Sequence, residues 1–160
     1  MTVRVPLKRV ARLMYGDALA ADQRIDGDYP VMGSGGMVGT HKYRNFRAPG
    51  IVIGRKGSYG SVHWAPDGGF AIDTAYYIDE TCTSADLRWL YFALQAVDLR
   101  GVSQDVGVPG LSRESAYEIS IPVPSLEEQR RIADFLDAET GRIDRLVQAR
   151  MRQRVALDEH

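Results

Sequence analysis

The sequence predicts an α+β protein. A globular mixed α/β body with a twisted sheet occupies residues 1–124, and one long, projecting coiled-coil-type helix follows over 125–160. Three observations predict it. Glycines and short apolar runs alternate up to a break at Ile121-Pro122-Val123-Pro124. Beyond the break there is no proline and a single glycine, Gly141. The prolines at alternate positions hold the backbone extended and stop a strand from continuing.

The elements follow in order. Ile51-Val52-Ile53, set between Pro49-Gly50 and Gly54, is a short buried strand. Ser61 to Trp64 and Ala75 to Ile78 are further strands, with Asp67-Gly68-Gly69 as a turn between them. Gly33-Ser34-Gly35-Gly36 is a loop, and Tyr117 to Ile121 alternates as a strand does. Ala85 to about Leu99 is a helix capped by Ser84, with Leu87, Leu90, Tyr91, Leu94 and Val97 on one face. Ser125-Leu126-Glu127-Glu128 is a capping box that starts the last helix, which runs from 126 to at least 155. Ile132, Leu136, Ile143, Leu146 and Val147 lie on a heptad-like seam along it, with Gln129 and Arg150 as polar members. At 1.5 Å per residue the helix reaches roughly 45 Å, longer than the body, so its seam needs a second helix.

Composition excludes several classes. With 44% hydrophobic and 26% charged residues the chain is an ordinary globular protein. One cysteine, Cys82, rules out an internal disulfide and a multi-thiolate zinc site, and fits a reducing, cytoplasmic setting. No apolar leader and no membrane-length apolar run is visible. No phosphate-cradling P-loop is present, and the glycines at 33, 35 and 36 lack dinucleotide-fingerprint spacing. His41, His63 and His160 are too dispersed for zinc, and none of Lys8, Lys42 and Lys56 has an acid two residues earlier. No catalytic residue, cofactor or metal is expected.

The net charge of −1 argues against a nucleic-acid binder until its distribution is followed. Between Asp28 and Asp67 there is no acid, but there are Lys42, Arg44, Arg47, Arg55 and Lys56. Aromatics (Tyr29, Tyr43, Phe46, Tyr59, Trp64) and small residues are interleaved. Cationic groups neutralise phosphates, and glycines let backbone N–H groups approach them. Arginine can also lie bidentate against guanine. A solvated basic face is the alternative reading.

Three blocks carry a resemblance. Val31-Met32-Gly33-Ser34-Gly35-Gly36, Ile51-Val52-Ile53-Gly54-Arg55-Lys56-Gly57-Ser58-Tyr59-Gly60, and Ile121-Pro122-Val123-Pro124-Ser125-Leu126-Glu127-Glu128-Gln129-Arg130-Arg131-Ile132-Ala133 resemble the specificity (S) subunit of type I DNA restriction–modification systems. Leu111-Ser112-Arg113 fits more weakly. The resemblance implies a non-catalytic subunit in which 1–124 is a target recognition domain and 125–160 a conserved dimerisation and spacer helix. Such a subunit reads one part of a split double-stranded DNA site and docks methyltransferase (M) subunits, through which restriction (R) subunits join. A full S subunit has two domains and two helices, and this sequence resembles half of one. Twofold pairing with an identical chain, or with a second half-subunit, would rebuild the antiparallel helix pair.

By position in these blocks, Ser34, Gly35, His41, Lys42, Tyr43, Arg44, Arg47, Arg55, Lys56, Ser58 and Tyr59 are expected to face DNA. Lys42, Arg44 and Arg47 would serve phosphates, and Arg55, Lys56, Ser58 and Tyr59 would approach bases or backbone. Two rival readings remain: an assembly protein whose basic window is incidental, and a recognition fragment of a DNA methyltransferase. The latter lacks any Asn/Asp-Pro-Pro-Tyr/Phe motif.

Overall fold

The computed structural model describes residues 2–101 and 109–159. In chain order the elements are β1 (Val3–Pro6), β2 (Met14–Tyr15), β3 (Tyr29–Gly33), β4 (Gly36–His41), β5 (Gly50–Gly54), β6 (Val62–Ala65), β7 (Phe70–Ala71), β8 (Ala75–Ile78), α1 (Leu87–Ala96), α2 (Arg113–Tyr117), β9 (Ser120–Val123) and α3 (Leu126–Asp158). They form a four-stranded sheet in the order β2-β8-β5-β6, a three-stranded sheet β4-β3-β7, and an antiparallel pair β1-β9.

β5 lies between β8 and β6, antiparallel to both, and all five of its residues are buried. Side chains alternate across a strand, so Ile51 and Ile53 enter one layer and Val52 the other. The first layer gathers Leu7, Leu13, Tyr76, Ile78, Trp89, Leu90, Leu94, Leu111 and Ile121. The second gathers Met32, Phe46, Ala65, Ala71 and Ala75 around Val52. Burial on both faces is why this strand reads as an unbroken apolar run. Gly50 is required here, because a Cβ at this position would meet the Phe46 ring at 2.5 Å.

Several boundaries differ from expectation, each for a local reason. The residues 33–36 form the tip of a hairpin, with Gly33 opposite Gly36 and only Ser34-Gly35 as the turn. Gly36, at φ 111°, supplies a conformation that other residues avoid. Helix α1 is shorter than 85–99 and is capped by Asp86, not Ser84; the Asp86 carboxylate accepts from the Trp89 N–H at 2.9 Å. The stretch 117–121 is split. Ser112 caps α2, which ends at Tyr117, and β9 begins at Ser120. The Tyr117 hydroxyl is turned inward, where it accepts from the Leu13 N–H at 3.0 Å.

Helix α3 covers 126–158, with the Ser125 hydroxyl accepting from the Glu128 N–H at 3.3 Å. The reciprocal half of the expected capping box is not formed: the Glu128 carboxylate engages Arg131 at 3.2 Å. The helix does not project from its start. Gln129 and Ala133 are buried, and Ile132 packs on the core of the body. The Gln129 amide is a two-way tie, accepting from the Asp86 N–H at 2.9 Å and donating to the Pro124 carbonyl at 2.9 Å. Two turns further, Arg88 pairs with Asp137 at 2.7 Å while lying over the rings of Trp64, Tyr91 and Phe92 at 4.7–4.8 Å. From Arg142 to Asp158 every residue is exposed, a free arm of about 26 Å at 1.5 Å per residue.

Replacing Gln129 by Ala leaves the Asp86 N–H and the Pro124 carbonyl without their partner. The expected loss is about 2–3 kcal/mol of unfolding free energy by urea titration, at the cost of an unmade buried hydrogen bond.

Candidate nucleic-acid interface

The fold divides the acid-free window between two ends. β5 separates Arg47, three residues before it, from Arg55, immediately after it. Five residues of strand put these ends roughly 16 Å apart. β3 and β4 likewise carry Ser34-Gly35 to one end and 41–44 to the other.

At the first end the hairpin tip meets the β5–β6 loop. The Ser34 N–H donates to the Thr74 hydroxyl at 3.3 Å. The Ser34 carbonyl accepts from the Ser61 hydroxyl and lies 3.1 Å from His63 Nε2. The tip and the loop are so close that a Cβ on Gly57 would stand 3.2 Å from the Ser34 hydroxyl, and one on Gly35 would stand 3.8 Å from that of Ser58. Arg55 donates through Nη1 to the Asp73 carbonyl at 3.1 Å and lies over the Tyr15 ring at 4.9 Å. Lys56 is exposed, and its backbone N–H donates to the Thr74 carbonyl. Tyr59 packs against the main core and carries Arg100 over its ring at 4.9 Å. Ser34, Gly35, Arg55, Lys56, Ser58 and Tyr59 are thus brought together.

At the other end, Lys42 lies over Tyr43 at 5.7 Å and Arg44 over Tyr29 at 5.8 Å. Lys42, Tyr43 and Arg44 are exposed. The other two candidates are engaged with the fold. His41 is only 6% exposed; its Nδ1 accepts from the Ile25 N–H at 3.0 Å, and its ring packs edge-on against Tyr43 and Phe70, so it is spent inside the fold. Arg47 is not acid-free in space, since it pairs with Glu80 at 3.1 Å. That pair is exposed and worth at most about 1 kcal/mol, so a phosphate can compete for the guanidinium.

Beneath Arg47 lies a buried carboxylate. Asp79 is 3% exposed and accepts from the backbone N–H groups of Arg47 and Thr81, the Thr81 hydroxyl and the Cys82 thiol. Burial raises its pKa, but these donors outweigh burial and hold it below the ordinary carboxylate value. Burial likewise pushes the Cys82 thiol up, which keeps it inert.

Sequence reasoning missed four contributors to the first end: Tyr15, Thr74, Arg100 and Arg113. Arg113 lies over the Tyr15 ring at 4.6 Å. Only Arg113 stood in a segment already marked, Leu111-Ser112-Arg113. Among the described residues no group of three potential metal ligands occurs, and no helix is long and apolar enough to cross a membrane.

The chain is thus a layered α+β body with a glycine-rich basic end and a helical arm. The profile of the type I restriction modification DNA specificity domain matches residues 5–150, and the chain belongs to that family. The type I restriction enzyme EcoprrI specificity subunit of Escherichia coli is 26% identical over 140 residues, covering 84% of this chain and 35% of the relative. The S subunit of a type I restriction–modification system from M. genitalium superposes with a TM-score of 0.77 at 20% identity, over 92% of this chain and 41% of that one. The corresponding subunit from Thermoanaerobacter tengcongensis gives 0.69 at 19%, over 92% and 39%. These structures share the α+β fold with the long C-terminal helix. The chain spans 35 to 41% of the length of these relatives.

The lowered pKa of Asp79 has a sign. Its ionised form stabilises the fold above the unfolded carboxyl pKa, and that contribution is lost as pH falls through the lower folded value. Asp79→Asn is therefore expected to be less stable at pH 7 by about 1–3 kcal/mol. It should also show a flatter fall in stability below about pH 4 than the unsubstituted protein, read by urea unfolding across that range.

Proposed function

We propose that the chain recognises double-stranded DNA as one half of a type I specificity subunit, with residues 1–124 reading one part of a split site. The observation that carries this is the coincidence of the family match with the first basic end. The Gly33–Gly36 and Arg55–Gly60 segments, separate in sequence, meet at one surface that carries the Ser34 and Ser58 hydroxyls and the cations Arg55 and Lys56. In this reading Lys42, Arg44 and Arg47 at the second end hold phosphates, which fix position without reading sequence. The subunit itself performs no chemistry. It brings methyltransferase subunits, and restriction subunits through them, to the site, and α3 is their docking element.

The free arm supports pairing with a second α3. Gln129, Ile132, Ala133 and Leu136, which face the body, are continued at helical spacing by Ile143, Leu146, Val147, Met151 and Val155, all at least 49% exposed. The seam therefore changes role along its length: Ile132 and Leu136 are half-buried against the body, and Ile143, Leu146 and Val147 await a partner. Charge favours an antiparallel mate. The N-terminal third carries Glu127, Glu128, Asp134 and Asp137 against Arg130 and Arg131, a net acidic balance, whereas Arg145, Arg150, Arg152 and Arg154 stand near the other end with no acid among residues 145–157. A second copy, or a second half-subunit, laid antiparallel sets these ends against each other and relates two recognition domains by a twofold axis.

Duplex binding by the chain with its methyltransferase subunit should weaken with salt, with a log–log slope of about −0.9 per phosphate neutralised, measured by fluorescence anisotropy from about 50 to 200 mM salt. Reversing Arg55 and Lys56 to Glu should weaken it on the order of 10-fold or more. Unchanged binding would favour the rival reading of an assembly protein with an incidental basic surface. Light scattering should give about twice 17.8 kDa for the chain alone, and Ile143→Asp with Val147→Asp should return it to the monomer mass.

A further inference from the structure

At the first basic end two arginines from distant parts of the chain share one aromatic ring. Arg55 follows β5, Arg113 opens α2, and both guanidinium groups lie over Tyr15 of β2, at 4.9 and 4.6 Å. Each is held through the backbone. Tyr15 pairs with Tyr76 across β2 and β8, and their rings are 5.3 Å apart. The Leu111 N–H donates to the Arg55 carbonyl at 2.8 Å, and the Leu111 carbonyl accepts from the Tyr76 hydroxyl at 2.7 Å. Ser112 caps α2 and so sets Arg113 at its first position. β2, β8, the end of β5 and the start of α2 are thus tied into one unit.

We propose that Arg55 and Arg113, braced on Tyr15, are base-reading residues for guanine. This rests on the DNA-recognition reading above and assigns it to particular side chains. Guanine offers two acceptors, O6 and N7, in the major groove, whereas adenine offers an acceptor and a donor there. Arginine carries donors only, in a planar fork that matches the guanine edge. Stacking on an aromatic face orients such a fork before DNA arrives, so less side-chain freedom is lost on binding. The Asp73 carbonyl fixes one nitrogen of Arg55 and the Tyr76 hydroxyl draws on the same guanidinium, so a ligand would meet the remaining donors of the fork. Among the described residues no carboxylate forms an ion pair with either arginine.

The alternative is a phosphate clamp, and the bracing of the two guanidinium groups disfavours it. Charge alone would hold a phosphate, and the exposed Lys56 beside Arg55 already supplies it, whereas both guanidinium groups are held on the Tyr15 face. A planar fork held in one orientation suits directional hydrogen bonds to a base edge.

The test is selection from a random duplex library by the full chain bound to its methyltransferase subunit. It compares the unsubstituted protein with Arg55→Lys and Arg113→Lys, which keep the charge and lose the fork. A further variant, Tyr15→Leu, removes the brace, and thermal midpoints confirm that each is folded. The unsubstituted protein should enrich a motif containing guanine. Each Lys variant should lose guanine preference at one position by on the order of 10-fold, with the other positions retained. Tyr15→Leu should weaken the preference at both positions. If the Lys variants keep the whole motif and bind all sequences more weakly to the same degree, the arginines are phosphate contacts and the assignment falls. Loss of preference at a position other than guanine also overturns it. If the unsubstituted protein enriches no motif, DNA recognition itself fails, an outcome distinct from insensitive variants.

Discussion

Strand β5 is held between β8 and β6 with both faces covered, and the rest of the molecule is arranged by that confinement. Ile51 and Ile53 point into the layer that α1 closes; Val52 points into the layer that Phe46 and the β3 sheet close. Burying three such side chains contributes about 1.5–3 kcal/mol each, so the strand cannot shift register by one residue without exposing them. Its ends are therefore fixed points. Arg55 leaves one end and Arg47 approaches the other, and what each cation meets follows from where the strand stops.

The same fixed frame sets the arm. Helix α1 lies over β5 and β6, and α3 docks on α1 through Gln129, Ala133 and the Arg88–Asp137 pair. The face that begins buried runs on into solvent as Ile143, Val147 and Met151. A helix that is docked for three turns and free thereafter has its direction set by the body. Such an arm can hold a second body at a defined distance, which flexible linkage would not do. The break at Pro122–Pro124 is thus a change of composition and not a mechanical hinge: β9 pairs with β1 on one side of it, and Gln129 is tied to Pro124 and Asp86 on the other.

Much of this was legible in the chain. Ser125 and the proline pair announced the start of α3, since capping and φ restriction act over a few residues. The apolar run 51–53 and the leucines of α1 announced buried elements, since periodicity is a local record of burial. The acid-free window was legible as well, but its meaning was not. Linear spacing placed His41, Arg47 and Arg55 in one group, while β5 and the β3–β4 hairpin carried them to two ends, buried the histidine, and brought Glu80 from beyond the window to Arg47. Tyr15 had no local signal and Arg113 only a weak one, because neither is special until β2, β8 and α2 bring them together.

By itself the sequence determined the α+β division, the long terminal helix and its apolar stripe, and the family to which the chain belongs. These rest on capping, periodicity and short motifs, which act between neighbours in the chain. Only the tertiary structure decided which cations share a surface, which histidine is spent in the core, and where the helix stops being part of the body. Those depend on contacts between segments 30 to more than 100 residues apart, such as Ser34 with Thr74, Arg88 with Asp137 and Leu13 with Tyr117. No local pattern encodes them, because they exist only once the buried strand has set the distance between its two ends.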